Sequence, residues 1–174
     1  IDKLNELLNN YGTVKIVDFS NLKNLNIENF DLIVLSGSSQ LYALFDYEQF
    51  KEEINIIKTS NIPIIGICFG FEVICLTYGA TIKSANEQID DFRIIKLNNF
   101  FKGIKDTVVV KEYHKWAIES VGNELEILAS SDSGVEIVKH KTKNIFGVQF
   151  HPELYTDLTQ GDSVLEFIIR KIFG

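Results

Sequence analysis

Proline, cysteine and long apolar runs are all scarce in this sequence. Pro63 and Pro152 are the only prolines among 174 residues, so few positions break the chain. No apolar run reaches the roughly 18 residues that span a bilayer, and the first residues lack the pattern of a signal peptide. These observations predict one domain over residues 1–174 without membrane association.

Cysteine occurs at two positions only, Cys68 and Cys75. Both lie on one predicted helix, so about 10 Å separates them along its axis. A disulfide requires Cα atoms within about 7 Å, so this pair cannot form one. Free thiols suit a reducing compartment, and we expect a cytoplasmic protein.

Basic residues are fewer than acidic ones. The chain has 17 basic and 24 acidic residues, a net charge of -7. Because such a chain repels phosphate backbones, we expect no nucleic-acid partner. No Cys/His spacing suits zinc and no glycine-rich phosphate loop is present, so we expect neither a metal nor a cofactor.

Apolar segments of strand and helix type alternate along the first half of the chain. The pattern predicts helices over 1–11, 48–58, 69–78 and 163–173, and strands over 14–19, 30–35, 62–67, 92–97, 107–112, 125–130, 134–140 and 145–150. Such alternation indicates a three-layer, doubly wound α/β fold with a mostly parallel central sheet and helices on both faces. The later strands are predicted to extend that sheet and to form a small antiparallel layer.

The strongest local pattern is Gly-Ile-Cys-Phe-Gly at 66–70, between an apolar strand and an apolar helix. Its spacing is that of a nucleophile elbow, with Cys68 as the nucleophile. A sharp strand-to-helix turn crowds its neighbours, which explains a glycine on each side. The turn also places the sulfur at a helix N-terminus, where the macrodipole is expected to lower the pKa of the thiol. The alternative is a buried core cysteine at a tight turn.

A second pattern, Phe-His-Pro-Glu at 150–153, directly follows a predicted strand. Histidine titrates near neutral pH, so His151 is suited to exchange protons with a thiol. A carboxylate two residues on, Glu153, can orient the imidazole. A lone His-x-Glu is more typical of a surface turn, and its position at a strand end downstream of the elbow is what favours a site.

Three further positions are weaker candidates. The small polar segment Ser-Gly-Ser-Ser at 36–39 follows a predicted strand and is suited to donate backbone N–H groups to an oxyanion. Trp116, the only tryptophan, is by default core filling. His140 precedes a lysine-containing turn, and we expect it to be solvated.

Together these segments resemble a known family, the class I glutamine amidotransferases. Residues 64–70 (IIGICFG) are similar to its nucleophile segment, and residues 147–153 (GVQFHPE) to its second signature. Residues 31–37 (DLIVLSG) resemble the strand and loop that supply its oxyanion hole. The likeness runs from about residue 14 to the C-terminus and implies a flavodoxin-like fold.

The resemblance implies a mechanism. Cys68 would attack the side-chain amide of glutamine to give a γ-glutamyl thioester. His151 would protonate the departing ammonia and then activate water, and Glu153 would orient His151. The ammonia would pass to a synthetase subunit or domain, because nothing in this short chain looks able to use it.

The resemblance also implies binding groups. Backbone N–H groups of Phe69 and of Gly37 or Ser38 would hold the oxyanion. The amino-acid end of the substrate would be held by main-chain groups near Tyr113, Lys115 and Trp116. The likeness to the glutaminase components of GMP synthetase and of anthranilate synthase does not separate those two.

The sequence departs from the family pattern in three places. Glu72 stands where the family usually has a glutamine that helps to hold the substrate, and a carboxylate alters the donor pattern. Gly-Ser-Ser at 37–39 replaces a common Gly-Gly-Pro. The first strand of the family is lacking, which leads us to expect a missing upstream segment.

These departures keep two other functions open. Glu72 is compatible with a γ-glutamyl hydrolase that acts alone, since such hydrolases of the same superfamily carry a similar Gly-Phe-Glu. The altered substrate side is also compatible with a degenerate, non-catalytic family member that serves as a binding or regulatory module.

Overall fold

The computed structural model describes residues 1–38 and 48–174, apart from the side chain of Asn86. The predicted position Ser39 therefore lies outside the described residues. Within these ranges the helices are α1 (Asp2–Leu8), α2 (Lys51–Thr59), α3 (Phe69–Thr77) and α4 (Gly161–Phe173). The strands are β1 (Ile33–Leu35), β2 (Ile64–Ile67), β3 (Thr81–Leu97), β4 (Thr107–Ser120), β5 (Leu125–Ser130), β6 (Val135–His140) and β7 (Ile145–Val148).

Three of the strands form the parallel part of the sheet. β1 lies beside β2 and β2 lies beside β7, with Leu35 opposite Gly66 and Ile67 opposite Val148. Helix α2 connects β1 to β2, and parallel neighbours need a crossover of this kind. The three strands consequently end at the same edge, and the elbow, the loop after β1 and the segment after β7 all start there.

The remaining strands pair in the antiparallel direction within the same sheet, whose order is β1-β2-β7-β6-β4-β3-β5. Among the described residues, two strand pairings are parallel and five are antiparallel. The later strands extend the sheet, as predicted, but the prediction that the sheet is mostly parallel is wrong, because the sheet is mixed. Short turns join β5 to β6 and β6 to β7, and short connections produce antiparallel neighbours.

Apolar side chains of the parallel strands alternate between two cores. Ile65 and Ile67 of β2 lie in a core with Leu4 of α1 and Val164 of α4. Ile64 lies in a second core with buried residues of α2 and α3. Because successive side chains of a strand point to opposite faces, helices cover both faces of the parallel strands. None of the helices in the described ranges is long and apolar enough to cross a membrane.

Strands β3 and β4 form a longer ribbon than the sequence predicts. They span 17 and 14 residues, and the register between them shifts between Ser84 and Ile89. The added upstream part of β3 is polar and largely exposed, so it carries no periodic apolar pattern. This ribbon brings the middle of β4 alongside the edge where the parallel strands end.

Two local predictions are wrong. The segment 14–19 is not a strand, and a short 3-10 helix, Phe19–Asn24, begins at its end. Its Ile16 side chain is 56% exposed, so the apolar pattern there does not face a core. His140 is buried rather than solvated. Its Nδ1 accepts the main-chain N–H of Thr142 at 3.1 Å and so stabilises the turn between β6 and β7.

Two glycines allow the elbow to pack against its neighbours. A Cβ atom on Gly70 would lie 2.2 Å from the main-chain oxygen of Leu35 in β1. A Cβ atom on Gly66 would lie 2.6 Å from the main-chain carbon of Gly70. Strand β1, strand β2 and the first turn of α3 are therefore in backbone contact, and no larger residue fits without displacing one of them.

Replacing Gly70 with alanine is expected to destabilise the fold by about 1–3 kcal/mol. Alanine would gain about 1 kcal/mol of helix propensity, but the contact with Leu35 is to rigid backbone and the clash outweighs that gain. The urea midpoint of Gly70→Ala measures the effect. Gly12→Ala is the matched control, because a Cβ there meets nothing within 4 Å; equal stability of the two variants would contradict the close packing.

Candidate active site

Cys68 lies at the junction of β2 and α3 in a strained backbone conformation. Its φ is 52°, and it is the only described non-glycine residue with a positive φ. Such conformations cost about 1–3 kcal/mol and persist only where the surroundings enforce them. The main-chain N–H of Cys68 donates to the carbonyl of Val148 at 2.8 Å, and its own carbonyl accepts the N–H of Glu72 at 3.0 Å. Sheet and helix bonds thus hold the elbow from both sides.

The electrostatic surroundings of Cys68 differ from the prediction. The residue is only 4% exposed, and burial raises the pKa of its thiol far above the ordinary value, with the charge of Glu72 as the next cause. The main-chain N–H of Phe69 opposes this rise, while Glu153 and Glu112 add to it. The expectation that the helix N-terminus lowers this pKa is therefore wrong, because desolvation and nearby carboxylates outweigh the N–H groups. Cys68 is a neutral thiol at rest.

His151 and Glu153 form a close pair beyond the end of β7. Nδ1 of His151 lies 2.8 Å from Oε1 of Glu153, and both side chains are mostly buried. The main-chain N–H of His151 donates to the carbonyl of Lys111 in β4 at 2.9 Å, which anchors the segment. Nε2 of His151 is buried and has no hydrogen-bond partner among the described residues. The carboxylate therefore orients the ring and leaves Nε2 available.

Gly37, in the loop after β1, lies against both catalytic candidates. A Cβ atom placed on it would be 2.9 Å from Cε1 of His151 and 3.3 Å from Cβ of Cys68. The nucleophile candidate, the histidine and the predicted oxyanion loop thus meet at one point. Ser38 follows directly and is half-buried, and Phe69 begins α3 on the other side of Cys68.

Of the residues predicted to hold the substrate's amino-acid end, Tyr113 is the one that contacts Cys68. The thiol of Cys68 donates to the main-chain oxygen of Tyr113 at 3.5 Å, while the Tyr113 ring is 41% exposed. Lys115 is exposed further along β4. The main-chain oxygen of Trp116 is hydrogen-bonded to Nδ1 of His114 at 2.7 Å. The main chain of β4 therefore reaches Cys68 at Tyr113.

Glu72 is buried in the first turn of α3, four residues after the nucleophile. Its side chain is 4% exposed, and Oε1 accepts from Nε2 of Gln149 at 3.3 Å. Burial raises its pKa to about 8, against a small lowering by Gln149. A carboxyl with that pKa is mostly protonated at neutral pH, so it has one donor and one acceptor, as a glutamine side chain does.

A buried polar cluster on the neighbouring strands was missed from the sequence. Oε2 of Glu112 lies 3.2 Å from Nε2 of His114 and 3.5 Å from Nε of Arg93. Glu112 and Glu136 are both fully buried. Burial and the charge of Glu112 raise the pKa of Glu136 well above the ordinary value. The pKa of Glu112 is lowered, because its hydrogen bond to His114 and the charge of that ring outweigh its burial.

This cluster lies on the strands that carry the site. Glu112 directly precedes Tyr113, and the main-chain oxygen of Glu136 accepts the N–H of Gln149 at 2.8 Å. The strand period of two could have found Glu112 and His114, because it places them on the same face as the apolar Val108 and Val110. Within the described ranges no group of three or more His, Cys, Asp or Glu side chains is arranged to hold a metal ion.

Comparison with known proteins identifies the class. Residues 3–171 match the family model "Glutamine amidotransferase class-I", and the chain therefore belongs to that family. A glutamine-hydrolysing GMP synthase subunit from Methanosphaera stadtmanae is 34% identical over 169 residues, which covers 85% of this chain and 87% of the relative. The protein of the same name from Methanocaldococcus jannaschii is 38% identical over 126 residues, 70% of this chain and 64% of the relative.

Solved structures agree with this assignment. A Thermoplasma acidophilum protein, described as a candidate GMP synthase subunit, has a TM-score of 0.82 and 26% identity. The match covers 98% of this chain and 87% of that one. A glutamine amidotransferase of Thermotoga maritima has a TM-score of 0.72 at 18% identity, which supports the fold alone. The expected family and the α/β class are confirmed.

Replacing Glu72 with glutamine is expected to stabilise the protein more at about pH 8 than at about pH 5. The folded carboxyl keeps its proton up to about pH 8, whereas the unfolded one loses it near its usual value of 4.5. Between these values the folded state binds more protons, so the wild type loses up to about 1.4 kcal/mol of stability per pH unit as the pH rises. Glutamine does not titrate and removes this loss.

Urea unfolding of wild type and Glu72→Gln at both pH values measures the difference. Glu6→Gln, an exposed substitution on α1, is the control and should change stability equally at both. A stability difference for Glu72→Gln that does not grow with pH would contradict a neutral Glu72.

Proposed function

We propose that this chain is a glutaminase that hydrolyses the side-chain amide of glutamine and delivers the ammonia to a synthetase partner, such as the synthetase component of a GMP synthase. One observation carries this proposal. Gly37 touches both Cys68 and His151, so a nucleophile, a proton carrier and an oxyanion loop surround a single point. Membership of the class I amidotransferase family and the names of the relatives support the substrate.

The catalytic set we assign is Cys68, His151 and Glu153. Because the thiol is neutral at rest, its proton must pass to Nε2 of His151 when the sulfur attacks the amide carbon. Glu153 holds Nδ1 and stabilises the imidazolium that forms. The proton then goes to the departing nitrogen, which leaves as ammonia, and a γ-glutamyl thioester remains on Cys68.

The oxyanion of each tetrahedral intermediate needs preorganised N–H donors. We assign these to Phe69 and to Gly37 or Ser38, because Gly37 lies against Cβ of Cys68 and Phe69 starts the helix. Water activated by His151 then attacks the thioester carbon, glutamate departs and the thiol regains its proton. Main-chain groups near Tyr113 and the buried side chain of Glu72 complete the substrate-binding side, with Lys115 and Trp116 further along β4 as the remaining candidates.

A second candidate function, a γ-glutamyl hydrolase that acts alone, is favoured by the buried carboxyl of Glu72. The two functions differ in substrate and in dependence on a partner. A glutaminase that serves a synthetase should use glutamine better than γ-glutamyl peptides and should be stimulated by its partner. Better turnover of the peptides, without stimulation, would favour the hydrolase. Failure of a glutamine-like electrophile to label Cys68 would favour a non-catalytic module.

Cys68→Ala is expected to abolish glutamine hydrolysis while the fold survives, because removing one sulfur atom leaves the backbone contacts of the elbow in place. Ammonia release from glutamine and the urea midpoint are the two measurements. Cys75→Ala is the matched control, since Cys75 is a fully buried cysteine on the same helix. Retained glutamine hydrolysis in Cys68→Ala would refute the assignment of the nucleophile.

Glu153→Gln is expected to lower kcat by about 10²-fold to 10⁴-fold, because an amide cannot stabilise the imidazolium of His151. Steady-state ammonia release measures it. Glu124→Gln is the control, because Glu124 pairs with a different histidine: its Oε2 lies 3.6 Å from Nε2 of His140, the last residue of β6. An equal loss in both variants would mean that the effect is not specific to the catalytic pair.

A further inference from the structure

Three buried titratable groups follow one line from the start of helix α3, and only one of them is the assigned nucleophile. Cys68, Glu72 and Cys75 follow at intervals of four and three residues, so they share a face. All three are at most 4% exposed. Within the described residues no ion pair includes Glu72, so no positive charge offsets an ionised carboxylate there.

The partner of Glu72 is an amide from the strand that leads to His151. Nε2 of Gln149 donates to Oε1 of Glu72 at 3.3 Å, and Gln149 is 1% exposed. Oε1 of Gln149 is buried and has no partner among the described residues. A protonated Glu72 carries an O–H donor beside this amide, whereas a carboxylate carries none.

The pair bridges the two elements that carry the chemistry. The N–H of Glu72 donates to the carbonyl of Cys68 at 3.0 Å, on the nucleophile side. On the other side, Gln149 is two residues before His151, and its N–H donates to Glu136 in β6 at 2.8 Å. A contact between Glu72 and Gln149 therefore fixes the elbow relative to the end of β7.

We propose that Glu72 and Gln149 form an acid–amide pair, joined by the proton of Glu72, that positions Cys68 relative to His151 and that suppresses the nucleophile when the proton is lost. The inference rests on the proposed function, in which Cys68 reacts as a thiolate. It makes Glu72 a positioning residue that acts through the sulfur.

Charge explains the suppression. The pKa of Glu72 is raised by burial to about 8, and an ionised Glu72 disfavours the thiolates of both Cys68 and Cys75. The other charged groups that act on the Cys68 sulfur are Glu153, from the segment after β7, and Glu112, from β4; both are acidic. Gln149 itself is neutral.

Coupled titration gives this pair a characteristic pH profile. While Glu72 is protonated, the thiolate population of Cys68 rises tenfold per pH unit. Once Glu72 ionises, two forms of the pair carry one proton each. In one, Glu72 is protonated and Cys68 is a thiolate; in the other, Glu72 is ionised and Cys68 is a thiol. Because both forms bind the same number of protons, their ratio does not depend on pH. The reactivity of Cys68 should therefore rise less steeply with pH above about pH 8 in the wild type than in Glu72→Gln.

The experiment is the rate of alkylation of Cys68 by iodoacetamide between about pH 6 and pH 10, in a Cys75→Ala background. Between one unit below and one unit above the ionisation of Glu72, the rate ratio of Glu72→Gln to its parent should increase, by at most about tenfold. The matched control is Glu53→Gln, in which another buried glutamate, on α2, is replaced; its pKa is also raised by burial. That control should follow the parent profile.

Parallel pH profiles of the parent and Glu72→Gln would overturn the proposal, and so would a parent rate that rises tenfold per unit throughout. The parent profile alone decides the matter if Glu72→Gln fails to fold. Loss of alkylation at every pH in a folded Glu72→Gln would also overturn it, because the carboxyl itself would then be required.

The result separates this inference from the proposed function. A chain that hydrolyses no glutamine, yet has the expected alkylation profiles, would retain the acid–amide pair and lose the glutaminase assignment. Glutamine hydrolysis together with parallel alkylation profiles would retain the glutaminase assignment and refute the acid–amide pair.

Discussion

Close backbone contact at the elbow is the constraint on which the rest of the structure depends. Gly70 meets the carbonyl of Leu35, and Gly66 meets the backbone of Gly70, so β1, β2 and α3 are held at distances that exclude any side chain. Cys68 lies between these contacts with a positive φ, a conformation that persists only where the surroundings enforce it. The loop after β1, with Gly37, lies against Cys68.

Acidic side chains surround Cys68. Burial raises the pKa of its thiol most, and the charges of Glu72 (once ionised), Glu153 and Glu112 raise it further. A resting neutral thiol is protected from oxidation and alkylation, since the thiolate is the reactive form. Activation then depends on His151 accepting a proton once a substrate occupies the site, which couples reactivity to glutamine binding in the proposed mechanism.

Periodicity and turn patterns predicted the parallel strands, the helix after the elbow and the C-terminal helix, because each has strong local apolar spacing. They failed for 14–19, where an apolar alternation is exposed, and for the upstream part of β3, whose polar residues have no such pattern. The antiparallel majority of the sheet was missed because strand direction depends on which strands become neighbours. The candidate set of Cys68, His151 and Glu153 was predicted from short motifs whose spacing is dictated by local geometry.

The sequence alone determined the strand-to-helix turn at Cys68, the His-x-Glu pair and the family, because each is encoded in a few adjacent residues whose chemistry is local. Only the tertiary structure decided which of those residues are protonated and which distant residues they contact. The neutral state of Cys68 and Glu72, the contact of Gly37 with His151, and the Glu112–Glu136 pair all arise between segments far apart in the chain. Desolvation and Coulomb interactions depend on distance in space, which no spacing along the chain reveals.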